Sequence, residues 1–351
     1  MMNPAHRLAL PALALIALVR SAAGQGTLVA DSVSSPGLAA NLLGDRFVRP
    51  VAVYLPPSYS REKTRRYPVL YMLHGATSVP EEWLDGKTYQ GLDLKATLDS
   101  LIGAGAIPEL LVVMPNADNR LGADWYANSP ALGNWEDFIV HDLIRQVDKT
   151  YRTEARRDRR AVYGHSMGGF GALAISFRHP DLFGLVYVAS PALVALTGPI
   201  GPAGQVWPML AEVTRWQDAR PRVQIFLGLA AALDGSRTSP RLFDSLPYDV
   251  GPDGKPVVHR AVEAHWRARM PPDLASAMVR RGGRAPAILI EAGSEEKGLL
   301  EGISALRGRL DSLHVSYADT VFEGGHIDKV RDRLTNHVLP AVARWLGFRP
   351  T

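Results

Sequence analysis

Short, continuously apolar runs alternate with helical patterns along this 351-residue chain, and this alternation limits the fold classes that the chain can adopt. Most of these runs lack the apolar–polar alternation of a strand with one solvated face. Continuous apolar runs are typical of strands that helices cover on both faces. The sequence therefore predicts an α/β fold with a mostly parallel central sheet. The predicted strands are residues 51–55, 69–73, 110–114, 161–163, 185–189, 223–227, 287–291 and 319–322.

Helical spacing of apolar residues marks segments between and after these strands. In residues 135–151, 299–313 and 329–345, apolar side chains recur every three to four positions and form one face of a helix. Residues 192–285 interrupt the alternation with many Pro and Gly residues. We interpret this stretch as an insertion over one edge of the sheet, such as a lid. The sequence predicts a single domain over residues 25–351.

The composition excludes several classes of function. Lys and Arg number 39 and Asp and Glu number 35, so the formal net charge is only +4. No basic stripe with interleaved aromatic residues is present, which argues against a nucleic-acid partner. The chain has no cysteine, which excludes disulfides, thiolate metal sites and cysteine nucleophiles.

Residues 1–24 have the pattern of an export signal. His6 and Arg7 precede an apolar stretch at residues 8–19, and small residues at 21–24 offer a cleavage site. The stretch is about 12 residues long, whereas a membrane-spanning helix needs about 20. We predict a protein that is exported, to the periplasm or fully secreted, without stable insertion in a membrane. An uncleaved N-terminal anchor is the alternative.

The sharpest motif is GHSMGG at residues 164–169, which matches the pattern G-x-S-x-G. A strand candidate leads into it and a helical pattern leads out, as the motif requires. Small neighbours let the chain turn sharply at Ser166, which exposes the serine hydroxyl at the end of the strand. We predict Ser166 as a nucleophile. The backbone N–H of Met167, at the start of the helix, is the predicted donor to a developing oxyanion.

A serine nucleophile needs a base, and the base needs an acid that orients it. His326 follows the last predicted strand on a Gly-rich loop, from which it can reach back to Ser166. The acid is expected after the preceding strand, where Glu295 and Glu296 are adjacent. We predict His326 as the base and Glu296 as the acid, with Glu295 as the alternative.

The remaining site residues are predicted from the loops at the carboxyl ends of the strands, where such sheets bind ligands. Ala76 follows an early apolar strand, and its backbone N–H is the second predicted oxyanion donor. His74 has no partner histidine at metal-ligand spacing, so we predict no metal and place it in the wall of the site. The predicted substrate contacts are His74, Trp125, Tyr126 and His165.

With these residues assembled, the chain resembles the "Putative esterase" (esterase D-like) family of α/β-hydrolases. This family includes S-formylglutathione hydrolases, feruloyl esterases and mycolyltransferases. The resemblance covers roughly residues 45–346 and rests on residues 71–75, 125–129, 147–153, 161–183 and 323–326.

That resemblance implies the α/β-hydrolase fold, with Ser166 as nucleophile, His326 as base, and the amides of Ala76 and Met167 as oxyanion donors. Family members usually carry Asp, sometimes Glu, at the position matched by Glu296.

The function that follows is an exported serine esterase that hydrolyses carboxylic esters through an acyl-enzyme and needs no cofactor. Its substrate is expected to be a small-molecule or carbohydrate ester. One alternative is an acyltransferase, in which a sugar or glycerol hydroxyl replaces water as the acceptor. Another is a non-catalytic protein that binds a carbohydrate or a partner on a hydrolase scaffold. The sequence indicates no oligomeric state.

Overall fold

Eight strands form one central sheet in the computed structural model, which describes residues 24–349. They are β1 (Thr27–Ser34), β2 (Val48–Leu55), β3 (Val69–Leu73), β4 (Leu111–Pro115), β5 (Arg160–His165), β6 (Leu185–Ala189), β7 (Ala287–Gly293) and β8 (Ala318–Phe322). Their order in the sheet is β1-β2-β4-β3-β5-β6-β7-β8. Strand β2 pairs antiparallel with β1 and β4, and the remaining pairs are parallel. The predicted, mostly parallel sheet is confirmed.

Strand β3 illustrates why the apolar runs form buried strands. All five of its residues are buried, although successive side chains point to opposite faces of the sheet. Val69, Tyr71 and Leu73 join the hydrophobic core on one face. Leu70 and Met72 join the core on the other. A strand with both faces in a core must be apolar throughout, which is the pattern of the sequence.

Helices cover both faces of the sheet, as predicted. One core contains residues of a continuous helix in three segments (Trp135–Asp137, Phe138–Leu143 and Ile144–Thr150), and of Met167–Arg178, Pro271–Arg280 and Lys297–Ser312. The other contains residues of Leu94–Gly103 and of the last helix, in the segments Val330–Arg333, Leu334–Val338 and Leu339–Trp345. Shorter helical turns are Pro36–Leu38, Pro80–Trp83, Thr88–Gly91, Arg157–Arg159, Gly198–Ile200 and Trp216–Asp218.

The predicted strand at residues 223–227 is wrong, because these residues lie inside the helix Pro221–Leu233. A short run of apolar residues does not by itself distinguish a strand from a buried helix. Here the run continues to Leu233, too long for a typical strand, and Pro221 occupies the first turn, where a helix tolerates proline. Strand β1, in contrast, is missing from the sequence prediction because Asp31, Ser32 and Ser34 interrupt its apolar residues and most of the strand is exposed.

The segment at residues 192–285 connects β6 to β7. It contains the helices Val206–Ala211, Pro221–Leu233, Arg260–Arg267 and Pro271–Arg280, with a hairpin between Tyr248–Val250 and Pro256–Val258. A second small hairpin joins Asn128–Ser129 to Gly133–Asn134. Within residues 24–349, no helix combines the length and apolarity that a membrane crossing requires. The predicted export signal lies outside the described residues, apart from Gly24.

Candidate active site

Ser166 occupies the turn between β5 and the helix Met167–Arg178, with φ 58° and ψ −120°. This backbone conformation is strained for a residue with a side chain, so the surroundings must enforce it. Two glycines allow the close packing that does so. A Cβ on Gly164 would overlap the backbone of Gly168, and a Cβ on Gly168 would overlap the carbonyl group of Leu73 on the adjacent strand. The glycines of the motif are therefore required by backbone contact.

His326 lies on the loop after β8 and reaches back to the serine. Its Nε2 atom is 2.8 Å from Ser166 Oγ. Its Nδ1 atom is hydrogen-bonded to a carboxylate oxygen of Glu296. Because an ionised carboxylate only accepts hydrogen bonds, Nδ1 carries the proton, which leaves Nε2 of the neutral ring as an acceptor for the serine hydroxyl. This tautomer is the one in which His326 can take a proton from Ser166.

Glu296 is buried and held by two further donors. Its Oε2 atom accepts hydrogen bonds from Ser190 Oγ at 2.6 Å and from the backbone N–H of Gly293 at 2.6 Å. Burial by itself would raise the pKa of Glu296, but the hydrogen bonds from His326, Ser190 and Gly293 outweigh it and hold the pKa below its ordinary value. Glu296 is therefore ionised near neutral pH.

The neighbouring Glu295 is placed differently. Its side chain is exposed at the rim of the cavity, and its backbone N–H donates to Gly324 O at 3.1 Å. Among the described residues, His326 Nδ1 is hydrogen-bonded to Glu296 and not to Glu295. Of the two carboxylates that the sequence left open, the structure brings only Glu296 to the histidine.

Ser166 lines a cavity of about 960 Å³. This volume is at the upper end of the range of volumes for small-molecule binding sites. Ala76 and Met167 line the cavity beside the serine. As the first residue of its helix, Met167 has an N–H without an intrahelical partner. The lining is largely apolar and includes Trp125, Leu193, Ile225, Phe226, Leu299 and Ile327. Besides Glu296 and His326, the side chains in the lining that can carry a charge near neutral pH are Glu82, Glu295 and Lys297.

The predicted substrate contacts separate into two groups. Trp125 and His165 line the cavity. His74 and Tyr126 are buried but do not line the cavity, which corrects their expected role. His74 Nε2 accepts from the Ala117 N–H at 2.9 Å, while Tyr126 Oη donates to His74 O at 3.0 Å. Burial lowers the pKa of His74 to about 4, so its neutral ring serves as a structural link between loops.

Two residues of the site were not found from the sequence. Ser190, the donor to Glu296, follows β6 directly and has φ 47°. Tyr89, which lines the cavity, has φ 51° within the turn Thr88–Gly91. A signal for Ser190 was available, because β6 is parallel to β5 and its carboxyl end must lie beside Ser166. Tyr89 stands in a polar segment whose sequence gives no comparable signal.

Comparison with known proteins places the chain in a family. The family model described as "Putative esterase" matches residues 47–233, more than half of the chain. The chain belongs to this esterase family. The family predicted from the sequence is thereby confirmed, and membership supports a carboxylic ester hydrolase, the class of enzyme that the sequence predicts.

Curated relatives match over the central part of the chain. Esterase Rv1288 of Mycobacterium tuberculosis is 37% identical over 133 residues, which are 37% of this chain and 26% of the relative. An endo-1,4-beta-xylanase/feruloyl esterase of Xylanibacter ruminicola is 36% identical over 140 residues, 38% of this chain and 18% of the relative. The aligned part thus spans about a quarter or less of the length of these curated relatives.

Solved structures match over nearly the whole chain. A ferulic acid esterase superposes with a TM-score of 0.62 at 23% identity, covering 92% of this chain and 100% of that one. The S-formylglutathione hydrolase FrmB from Staphylococcus aureus gives a TM-score of 0.54 at 17% identity, covering 92% and 100%. At these identities the likeness concerns the fold, and it confirms the predicted α/β-hydrolase fold.

The different placement of the two glutamates leads to a test with a matched control. For Glu296→Gln we expect kcat on 4-nitrophenyl butyrate to fall by about 10³-fold or more, because an amide can donate to His326 Nδ1 and favour the wrong tautomer. Glu295→Gln, the control, should stay within about 3-fold of the unmodified protein, since the Glu295 side chain is exposed and is not hydrogen-bonded to His326. Equal losses in the two variants would contradict the assignment of Glu296.

Proposed function

We propose that the protein is an exported serine esterase that hydrolyses carboxylic esters through an acyl-enzyme on Ser166. The observation that carries the proposal is the hydrogen-bonded series from Ser166 through His326 to the buried carboxylate of Glu296, at the floor of a large apolar cavity. Each member supplies what its neighbour needs: a nucleophile, a base in the receptive tautomer and an ionised group that fixes that tautomer.

In the first half of the reaction, Ser166 Oγ attacks the carbonyl carbon of the ester while its proton moves to His326 Nε2. The resulting imidazolium is stabilised by its Nδ1–H bond to the Glu296 carboxylate. The carbonyl oxygen becomes an oxyanion, which we assign to the backbone N–H groups of Ala76 and Met167. Support for this assignment is that Gly75, next to Ala76, lies against Ser166, where an added Cβ would be 3.2 Å from the serine Cβ.

The tetrahedral intermediate then breaks down to the acyl-enzyme, which water hydrolyses in the second half of the reaction. The carbon–oxygen bond to the alcohol breaks, His326 Nε2–H donates its proton to the leaving oxygen, and the acyl group remains on Ser166. A water molecule next gives a proton to His326 and attacks the acyl carbon. Release of the carboxylic acid returns the proton from His326 to Ser166 Oγ. Protein groups alone supply the nucleophile, the base and the oxyanion donors in this sequence of steps.

The cavity supports a substrate with a bulky apolar part. Phe226, Ile225 and Leu193 belong to the segment at residues 192–285, which we infer to be an insertion that forms a wall or lid over Ser166. Burial of each methylene contributes about 0.8 kcal/mol when it leaves water, so such a wall favours long or aromatic acyl groups. The relative named a xylanase/feruloyl esterase and the neighbour named a ferulic acid esterase are consistent with a substrate of this size.

Export and domain organisation are also part of the proposal. Export rests on the n-region, apolar stretch and small residues within residues 1–24. Because the chain has no cysteine, its folding after export would involve no disulfide formation. The continuous sheet from β1 to β8 supports a single domain over residues 25–351.

The direct test removes the nucleophile. In Ser166→Ala the attacking oxygen is lost while the fold is retained, so we expect kcat/KM for 4-nitrophenyl butyrate to fall by at least about 10³-fold. A fluorophosphonate probe should label the unmodified protein and leave Ser166→Ala unlabelled. Thermal unfolding of both proteins controls for folding. Full turnover by a folded Ser166→Ala variant would contradict the proposal.

The apolar wall leads to a second test, in which acyl chain length is varied. We expect kcat/KM for 4-nitrophenyl octanoate to exceed that for the acetate by about 10-fold or more, because added methylenes are buried in the cavity. Phe226→Ala should reduce this ratio, whereas Phe47→Ala, which removes an exposed phenylalanine outside the cavity lining, should not. A preference for acetate in the unmodified protein would show that the cavity does not hold the acyl group.

A further inference from the structure

The mechanism above leaves unused a second histidine, His165, which directly precedes the nucleophile. Its side chain is buried, and its Nε2 atom lies 2.9 Å from the backbone carbonyl oxygen of His326. A carbonyl oxygen only accepts hydrogen bonds, so Nε2 of His165 must carry a hydrogen and donate it. The residue before the nucleophile is thus bonded to the backbone of the base, 161 residues further along the chain.

The ring of His165 also packs against the ring of His326. Their centroids are 4.9 Å apart with an interplanar angle of 41°, and Tyr89 contacts His165 edge-on at 6.1 Å. Burial, with a smaller contribution from His326, lowers the pKa of His165 to about 4. The ring is therefore neutral at about pH 7, and it adds no positive charge beside the imidazolium that forms on His326 during the reaction.

The loop that carries His326 needs such support. It contains Gly324, with φ 139°, and Gly325, which give the backbone freedom that other residues lack. Three other side chains bind the backbone of this loop: Asp328 accepts from the Gly325 N–H at 2.6 Å, Gln90 donates to Ile327 O at 2.7 Å, and Ser294 Oγ accepts from the Gly324 N–H at 3.5 Å. The bonds of Asp328 and Gln90 are exposed to solvent and that of Ser294 is long, whereas the bond from His165 is both partly buried and 2.9 Å long. Water competes less for the donor and acceptor of a shielded hydrogen bond, so such a bond is stronger and restrains the backbone more.

The charged groups near His165 do not offer it another partner. From the loop after β7, Glu296 directs its carboxylate to His326, Ser190 and Gly293. From the segment before the helix Leu94–Gly103, Glu82 accepts from Ser78 and Tyr89. The other ring nitrogen of His165, Nδ1, faces Gly75, and a Cβ added to Gly75 would lie 3.6 Å from this nitrogen. The hydrogen bond to His326 is therefore the polar contact through which His165 acts within the described residues.

We propose that His165 is a positioning residue, which holds the backbone of His326 so that Nε2 of the base stays within hydrogen-bond distance of Ser166 Oγ. This inference rests on the proposed function, because it assumes that His326 is the base. It replaces direct substrate contact as the main role of His165. The chemical reason is geometric, since a displacement of about 1 Å in a catalytic group can cost about 10²-fold in rate.

The test compares variants that differ in their ability to donate. His165→Phe keeps a planar ring but has no donor, whereas the side-chain amide of His165→Gln can donate to the carbonyl of His326. We expect kcat on 4-nitrophenyl butyrate to fall about 10-fold to 100-fold in His165→Phe, with KM within about 3-fold of its original value. His165→Gln should recover kcat to within about 5-fold of the unmodified protein.

The control is His141→Phe, the same replacement on the exposed side of the helical segment Phe138–Leu143, which should leave kcat and KM unchanged. Rates are divided by the folded fraction from circular dichroism, so a loss of stability alone cannot imitate a loss of kcat. If His165→Phe does not fold, His165→Gln is compared with His165→Asn. Asn also carries an amide but is one methylene shorter, so kcat should be lower in His165→Asn.

The outcomes distinguish this inference from the proposed function. Retention of kcat within 2-fold in folded His165→Phe, or an equal loss in the Phe and Gln variants, would overturn the positioning role. In that case an inactive Ser166→Ala variant would still leave the serine esterase proposal standing. If the unmodified protein neither turned over any 4-nitrophenyl ester nor reacted with a fluorophosphonate, the proposed function itself would fail.

Discussion

The close backbone contact around Ser166 is the constraint on which the rest of the site depends. The start of the following helix approaches β5 and the end of β3 so closely that glycine is required at positions 164 and 168. This packing holds Ser166 in its strained conformation and directs the start of the helix toward the same point. His326, Glu296 and Ala76, the proposed base, acid and second oxyanion donor, all lie after other strands. They can meet at the serine only because the parallel strands β3 to β8 end at one edge of the sheet.

Strained backbone and a buried charge are concentrated at this edge. Thr77, Tyr89, Trp125, Ser166 and Ser190 all have positive φ values, which cost free energy in residues other than glycine. Glu296 is ionised although it is buried, which three hydrogen-bond donors make possible. Both features need a rigid surround, and the sheet with a core on each face provides it. The fold thus stabilises an arrangement that is locally unfavourable and chemically useful.

The sequence predicts those parts of the molecule that local chemistry dictates. A strand buried on both faces must be apolar throughout, so β3 and β6 are found within their observed bounds. The turn at Ser166 requires small residues at positions 164 and 168, so this turn is found as well. The helix Pro221–Leu233 is missed because full burial gives it the apolar run of a strand. Spacing along the chain does not show which of the two glutamates contacts His326, or that His74 and Tyr126 lie outside the cavity lining. Both depend on tertiary contacts, which only the structure provides.

The central claim is that the reaction proceeds through an acyl group bound covalently to Ser166 Oγ. A carbamate ester, whose carbamoyl-enzyme is hydrolysed slowly, tests this claim most directly. We would mix the protein with 4-nitrophenyl dimethylcarbamate, measure the burst of 4-nitrophenolate, and map the modified residue by mass spectrometry of peptides. The account predicts a burst of about one equivalent per protein molecule, with the dimethylcarbamoyl group on Ser166. A carbamoyl group on another residue, or steady turnover of the carbamate with Ser166 unmodified, would contradict it.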